Sequence, residues 1–185
     1  DIVIIGGGIS GIATAFYVLK YTNRNVVLCD RAKIGHGATG HNAGQIVSYF
    51  ERPFKDLVRE FGLEMATRGQ RDVENAWQFL DEIYTDAALT LPASRFEGHM
   101  GIRTKEQLTS YLEDIQLRVR GGLSKEKLRF ASELSDVYQS VLKDYIGLYE
   151  YVPHSEILNL LETENSDFVA CLSFQKGVTN SALFV

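Results

Sequence analysis

The chain opens DIVIIGGGISG, and this stretch restricts the fold more than anything after it. Ile2 to Ile5 is a continuous β-branched run, the pattern of a strand buried on both faces. It runs directly into Gly6, Gly8 and Gly11, spaced as G-x-G-x-x-G. Gly6 allows the tight turn out of the strand, Gly8 lets backbone approach a pyrophosphate, and Gly11 lets the next helix pack closely on the sheet. The apolar spacing predicts that helix over Ile9–Tyr21, with Ile12, Phe16 and Leu19 near one face, joined by Ile9 and Ala13. Its first N–H groups and positive dipole end then face the phosphates. Asn23-Arg24-Asn25 reads as a turn, residues 26–28 as a second buried strand, and Asp30 closes that strand. Asp30 lies about 20 residues beyond the glycines, the spacing at which an acid reaches a ribose hydroxyl. Strand, glycine turn, helix, strand and acid together make a dinucleotide-binding βαβ unit.

A chain of 185 residues has room for one substantial core, or for one domain and part of another. It is 45% apolar and 23% charged, ordinary for a soluble globular protein. A net charge of −5 and the lack of a long basic run argue against nucleic acid as a partner. Neither a bilayer-spanning run nor a secretory leader is expected, so the expected location is cytoplasmic, with peripheral contact to the inner membrane left open. Two cysteines make no disulfide framework, and Cys29 and Cys171 both read as small buried residues. His36, His41, His99 and His154 show no metal-ligand spacing, and no G-x-S-x-G elbow or P-loop lysine is present. Redox chemistry must then come from a cofactor. The first residue, Asp1, already stands at a strand edge, and the last five, SALFV, read as the opening turn of a helix. A doubly wound sheet needs more parallel strands than these, so the expectation is a piece of a longer protein.

Residues 31–44, RAKIGHGATGHNAG, form a loop rich in glycine and alanine, with Thr39, His41 and Asn42 as side-chain donors. A simple NAD-binding βαβ unit needs no second glycine-rich loop after the acid; a longer cofactor reaching across the sheet uses one. The pair GGGISG and GHGATGHNAGQ resembles the FAD-binding signature of the D-amino-acid oxidase/dehydrogenase superfamily of flavoproteins. Within it, NAGQIVSY is most similar to the D-amino-acid dehydrogenase branch and related FAD-dependent amine oxidoreductases. The resemblance implies an α/β fold: a Rossmann-like FAD-binding βαβ unit with part of an α+β substrate-binding domain. The FAD-binding part would cover 1–86, the substrate-binding part 87–174, and the return to the FAD-binding domain 175–185.

By the same resemblance, Gly6, Gly8, Ser10 and Gly11 surround the pyrophosphate, Asp30 holds the adenosine ribose and Arg31 lies near the adenine. Gly37, Ala38 and Thr39 reach the pyrophosphate and ribityl chain. Asn42, Ala43, Gly44, Gln45 and Ile46 approach the flavin ring. His41 is a departure. The dimethylglycine and sarcosine dehydrogenase branch bonds a histidine at this place to its flavin, but a tryptophan precedes it there and Gly40 does here. His41 is expected to contact the flavin, either bonded to it or held by backbone. The implied reaction is oxidation of a small-molecule amine or amino acid, with hydride passing from the substrate α-carbon to the flavin. The family's substrate-binding arginine usually lies beyond this stretch, so no catalytic residue is assigned. Arg52 reads as a surface arginine or as a substrate-side cation. The electron acceptor is not specified. Open strand edges predict poor solubility or a swapped assembly for this stretch unless the remainder of the protein is supplied, and a homo-oligomer is a further expectation. The alternatives are a non-catalytic nucleotide-binding regulator, an NAD-dependent oxidoreductase, and a tRNA-modifying flavoprotein, to which the acidic balance lends no support.

Further along, residues 46–50 read as a short strand and 54–84 as helical, with Gly62 and Gly69 weakening the middle so that two helices or one kinked helix are expected. Trp77 falls at helical spacing and reads as core rather than as a flavin neighbour. A break over 85–94 contains Pro92, and 96–103 reads as a strand. Thr104 and Gln107 have capping-box spacing at the start of a helix that Gly121-Gly122 ends. Lys125, Lys127 and Arg129 read as a solvated cluster. Helix is expected over 133–145 and strand over 145–152, whose Tyr145, Tyr149 and Tyr151 either line a pocket or sit on an amphipathic strand. Residues 157–161 read as helix, 168–174 as strand and Gln175-Lys176-Gly177 as a turn.

Overall fold

The computed structural model describes residues 1–90 and 93–181. Pro92 and the final turn at 182–185 lie outside the described residues. In chain order the elements begin with β1 (Ile2–Ile5), α1 (Ile9–Tyr21), β2 (Val26–Cys29), β3 (Gln45–Val47), α2 (Phe54–Phe61), α3 (Leu63–Glu74) and α4 (Ala76–Asp86). They continue with β4 (Ala93–Ile102), α5 (Lys105–Arg120), β5 (Lys127–Ala131), α6 (Ser135–Leu142), β6 (Glu150–Val152), α7 (His154–Leu160) and β7 (Ala170–Thr179). The chain is a mixed α/β fold of two compact units. One comprises Asp1–Val47, Trp77–Phe96 and Lys176–Val185; the other comprises Ser48–Ala76 and Glu97–Gln175.

In the first unit, β1 and β2 run parallel, Ile2 opposite Val26 and Ile5 opposite Cys29. Parallel neighbours need a crossover, and α1 supplies it. The expectation that both strands are buried on two faces fails: Val3 is 65% and Ile5 89% exposed, and Val27 and Cys29 are also exposed. Among the described residues β1 and β2 pair only with each other, so α1 covers one face and leaves the alternate residues in solvent. Leu19, expected on the packed face of α1, is exposed for the same reason. Helix α4 is tied to α1 by ion pairs from Lys20 to Glu82 and Asp86, and by the Tyr17 hydroxyl donating to the Phe79 carbonyl at 2.9 Å.

Gln175-Lys176-Gly177 does not turn. It lies inside β7, where Lys176, Gly177 and Val178 are antiparallel partners of Val47, Ile46 and Gln45. A waiting sheet partner overrides the local turn preference. Among the described residues the larger sheet has the order β3-β7-β5-β6, with β4 also on β7.

In the second unit, the helical stretch expected as two helices or one kinked helix is broken into α2 and α3, with α4 beginning beyond. Gly62 breaks it in a left-handed conformation (φ +79°), and the second break falls at Asn75 rather than at Gly69, which stays inside α3. The capping box forms as expected: Gln107 N–H donates to Thr104 Oγ1 at 3.2 Å, and the Gln107 side chain accepts from the Thr104 N–H. Leu108, Leu112 and Ile115 then fall one or two turns apart on one face of α5, fully buried against Ile102, Leu128, Phe130 and Leu172. Replacing Thr104 by Ala should cost about 1 kcal/mol of stability while Ser costs far less, read as urea midpoints of the two variants.

Of the basic cluster, Lys125 and Lys127 are exposed but Arg129 is only 6% exposed. Beyond Lys127 the strand β5 is buried on both faces, and there the Arg129 guanidinium donates to Ser173 Oγ at 2.7 Å and lies 3.6 and 3.9 Å from Glu156 and Glu97. The strand expected over 145–152 is confined to β6, and Tyr145 sits in a 3-10 turn. Tyr149 and Tyr151 pack edge-on against Phe130 with ring centroids 6.5 and 6.2 Å away. Burial and the adjacent Tyr151 push the Tyr149 hydroxyl up to about 12.

Candidate functional site

The glycine turn is built by backbone alone. Gly6 leaves β1 at φ +111°, and its N–H still reaches the Cys29 carbonyl at 2.8 Å. A Cβ on Gly11 would lie 1.9 Å from the Gly6 carbonyl oxygen, so only glycine lets α1 start this close to β1. Gly8 caps α1 without a side-chain bond, which leaves the first N–H groups of the helix outside its own ladder. A Cβ on Gly8 would stand 3.0 Å from Thr39 Oγ1.

Asp30 sits under this turn. One carboxylate oxygen accepts from Gly7 N–H at 2.7 Å and the other from Ala32 N–H at 2.8 Å. These two backbone donors hold its pKa below the usual carboxylate range. A carboxylate with a lowered native pKa stabilises the fold fully above its unfolded pKa, and that contribution disappears as pH falls through the native value. Acidification below the ordinary carboxylate range is therefore expected to release the Gly7 amide. Asp30→Asn should remove this acid transition and loosen the turn at neutral pH, followed through the Gly7 amide resonance across a pH titration.

The second glycine-rich loop folds onto the first turn. Thr39 Oγ1 accepts from Ile9 N–H at 3.0 Å, and Gly35 N–H donates to the Gly7 carbonyl at 2.9 Å. Ala38–Gly40 forms a 3-10 turn, with Thr39 buried inside it. Asn42 locks the far side: its Nδ2 donates to the carbonyls of Ala38 and Thr39 at 3.0 and 2.8 Å, and its Oδ1 accepts from Gly44 N–H at 2.6 Å. Ser181 Oγ lies 2.6 Å from the Thr39 carbonyl and 2.9 Å from Asn42 Oδ1. Gly44 is buried at φ +66°, its carbonyl accepting from Thr179 N–H at 3.0 Å. His41 is exposed; its Nδ1 lies 2.8 Å from the Gly37 carbonyl. A carbonyl only accepts, so Nδ1 carries the proton and the neutral ring keeps its lone pair on Nε2.

Gly6, Gly8, Asp30, Gly37, Ala38, Thr39, Asn42 and Gly44 thus belong to the hydrogen-bonded turns of these two loops, and Gly11 packs directly against the Gly6 carbonyl. Ser10, Arg31, Ala43 and Gln45 line it as exposed residues, and Ile46 is half-buried in β3. Gly35, read from the sequence as the first of the loop's backbone donors, does donate from its N–H, while Gly7, Thr179 and Ser181 are partners that the residue pattern did not point to. Gly7 carried a usable signal, since it stands between two motif glycines. Ser181 carried none, being 142 residues from Thr39.

The second unit holds a cavity of about 290 Å³, its wall including Tyr49, Phe50, Tyr111 and Phe174 with Asp114 and Glu126. Burial pushes both carboxyls up, and Asp114 accepts from Lys55 N–H at 2.8 Å. Tyr145, Tyr149 and Tyr151 are not part of that wall. Arg52 stands on its rim, paired with Glu60 at 2.7 Å and about half exposed, which fits the surface reading. Among the described residues no group of three or more His, Cys, Asp or Glu side chains is placed to hold a metal ion, and no helix is long and apolar enough to cross a membrane.

A family model described as FAD dependent oxidoreductase, DAO, matches residues 1–159. Gamma-glutamylputrescine oxidoreductase of Escherichia coli (strain K12) is 30% identical over 66 residues, covering 36% of this chain and 15% of that protein. A Bacillus subtilis (strain 168) protein named as a Rieske 2Fe-2S iron-sulfur protein, YhfW, is 32% identical over 83 residues, covering 45% of this chain and 16% of that protein. The matched segment therefore spans less than a fifth of the length of either relative.

Proposed function

The chain belongs to the FAD-dependent oxidoreductase family, and on that premise we propose that its first unit binds FAD and that the whole protein oxidises an amine or amino acid. The observation that carries this reading is the joining of two loops: the glycine turn and the 35–44 loop share hydrogen bonds at Gly7 and Ile9. A dinucleotide with a long second arm needs both surfaces, and the residues present suit it. Gly6, Gly8, Ser10 and Gly11 surround the pyrophosphate, with the open amides at the start of α1 supplying donors. Asp30, already oriented by Gly7 and Ala32, keeps further lone pairs for the ribose hydroxyls, and Arg31 lies near the adenine. Gly37, Ala38 and Thr39 follow the pyrophosphate and ribityl chain; His41, Asn42, Ala43, Gly44, Gln45 and Ile46 border the ring.

When bound, the flavin supplies the acceptor for hydride leaving the substrate α-carbon. The chain's own part is to orient that group and to hold its anionic linker. In this reading FAD binding falls to the first unit, within the 1–86 and 175–185 boundaries read from the sequence except that 48–76 and Gln175 belong to the second unit and 87–96 to the first; the second unit is the substrate side, and the location is cytoplasmic. An amine substrate agrees with the name of the Escherichia coli relative. The test is the visible spectrum of the purified full-length protein, before and after acid denaturation and filtration. The expected result is an oxidised-flavin spectrum whose colour passes the filter, because His41 is held by the Gly37 carbonyl and contacts the flavin without a bond. Colour retained on the protein would assign a covalent His41 link instead. A colourless protein that takes up no added FAD overturns the flavoenzyme reading.

A further inference from the structure

The strand that borders the proposed flavin position is supported from behind by one aromatic contact. In β3, Ile46 is paired with Gly177 of β7. A Cβ on Gly177 would lie 2.7 Å from Trp77 Cη2, 3.1 Å from its Cζ3 and 3.0 Å from the Ser94 carbonyl oxygen. Glycine is therefore required for β7 to lie on the indole at the point where it carries Ile46. Trp77 is buried, and its Nε1 has no hydrogen-bond partner among the described residues, so shape and not a polar bond determines where the ring rests. The ring is clamped: the Arg95 guanidinium stacks 4.7 Å from it and pairs with Asp81, one helical turn further along α4. Another turn on, the Tyr84 hydroxyl lies 3.2 Å from Thr179 Oγ1, next to the Gly44 contact. One face of α4 thus supports the end of β7, and β7 in turn carries the 44–47 segment.

We propose that Trp77 and Gly177 are a positioning pair for the flavin-bordering strand, setting the height of Gln45 and Ile46. This rests on the reading of those two residues as ring neighbours. They act through backbone: a shift of β7 at Gly177 moves the amides of Gln45–Val47, and amides beside a flavin ring tune its electronics. Trp77 itself need not touch the flavin.

The experiment uses the full-length flavoprotein with Gly177→Ala, Trp77→Phe, the double variant, and Ile115→Val as a core change in the second unit. Amide hydrogen exchange at 45–47 and the flavin midpoint potential are read together. Gly177→Ala is expected to speed exchange at 45–47 by about tenfold and to shift the potential. Phenylalanine lacks the outer indole atoms that the new methyl would strike, so Trp77→Phe in the alanine background should return both readouts toward wild type. Trp77→Phe alone, a conservative change, should loosen the same three amides. Ile115→Val should lower stability and move neither readout. Unchanged exchange in Gly177→Ala, or no relief in the double variant, overturns the contact. Altered exchange with an unmoved potential overturns its role toward the flavin. A wild-type protein without flavin overturns the FAD reading itself, and the pair's role with it.

Discussion

Gly11→Ala is expected to yield a protein that retains no FAD and unfolds at markedly lower denaturant. The added methyl would sit 1.9 Å from the Gly6 carbonyl oxygen and 3.1 Å from the Gly6 carbonyl carbon. Both are backbone atoms of the same turn, so no side-chain rotation relieves the clash. Either α1 moves off β1 or the Gly6 peptide rotates, and each withdraws the helix amides from the phosphate position. Overpacking in a tight site costs about 1–3 kcal/mol, and a backbone obstacle puts this case at the upper end. Each 1.4 kcal/mol lost at the site weakens FAD roughly tenfold, so the purified variant should be close to colourless. Gly69→Ala is the control: it lies inside α3, away from the glycine turn, its added Cβ meets only the Phe50 ring at 3.8 Å, an ordinary contact, and its stability should not fall below that of wild type. Reconstitution of both apoproteins with FAD measures the difference. Equal FAD affinity in the two variants would mean that the start of α1 is not where the phosphates bind.

Gly44→Ala should be the second severe change, for two additive reasons. The residue is held at φ +66°, which costs a non-glycine residue about 1–2 kcal/mol. Its Cβ would also stand 1.8 Å from the Thr179 carbonyl oxygen, in the segment whose N–H donates to the Gly44 carbonyl. Escape breaks that bond and frees the Asn42 Oδ1 contact with Gly44 N–H. The comparison that separates the two costs is Gly62→Ala, with φ +79° and nothing within 4 Å. Gly62→Ala should lose the conformational part only. Gly44→Ala should lose at least about 2 kcal/mol more and detach the flavin-side loop. Urea midpoints give the first quantity and FAD content the second. Equal midpoints would show that the 44–47 segment relaxes freely around Thr179.

The parts of this fold legible in the sequence are those set by near neighbours. The β1–α1–β2 unit follows from an apolar run, three glycines and a turn, and its helix ends where the periodicity places them. The capping box at Thr104 and Gln107 spans four residues and was equally readable. The candidate site is half of this kind. Its glycine turn and its acid come from one local unit, because an element's own spacing brings Asp30 back beneath Gly7.

What failed to show in the sequence depends on partners far along the chain. Gln175-Lys176-Gly177 has turn composition, yet pairing with β3 holds it extended. Arg129 has the look of a surface cation, yet β5 is covered on both faces and buries it beside Ser173, Glu97 and Glu156. Val3 and Ile5 have the composition of a doubly buried strand, yet burial is a property of what lies on each face, and one face of β1 is open. By itself the sequence determined the β1–α1–β2 unit, its chain direction and the residues of both glycine-rich loops, since local sterics and periodicity act within a few residues. Only the tertiary structure decided that those loops meet at Thr39, that Ser181 closes over them and that Trp77 supports β7 behind Ile46. Those contacts join residues some 30 to 140 positions apart, and such contacts arise from packing and register, which no local pattern encodes.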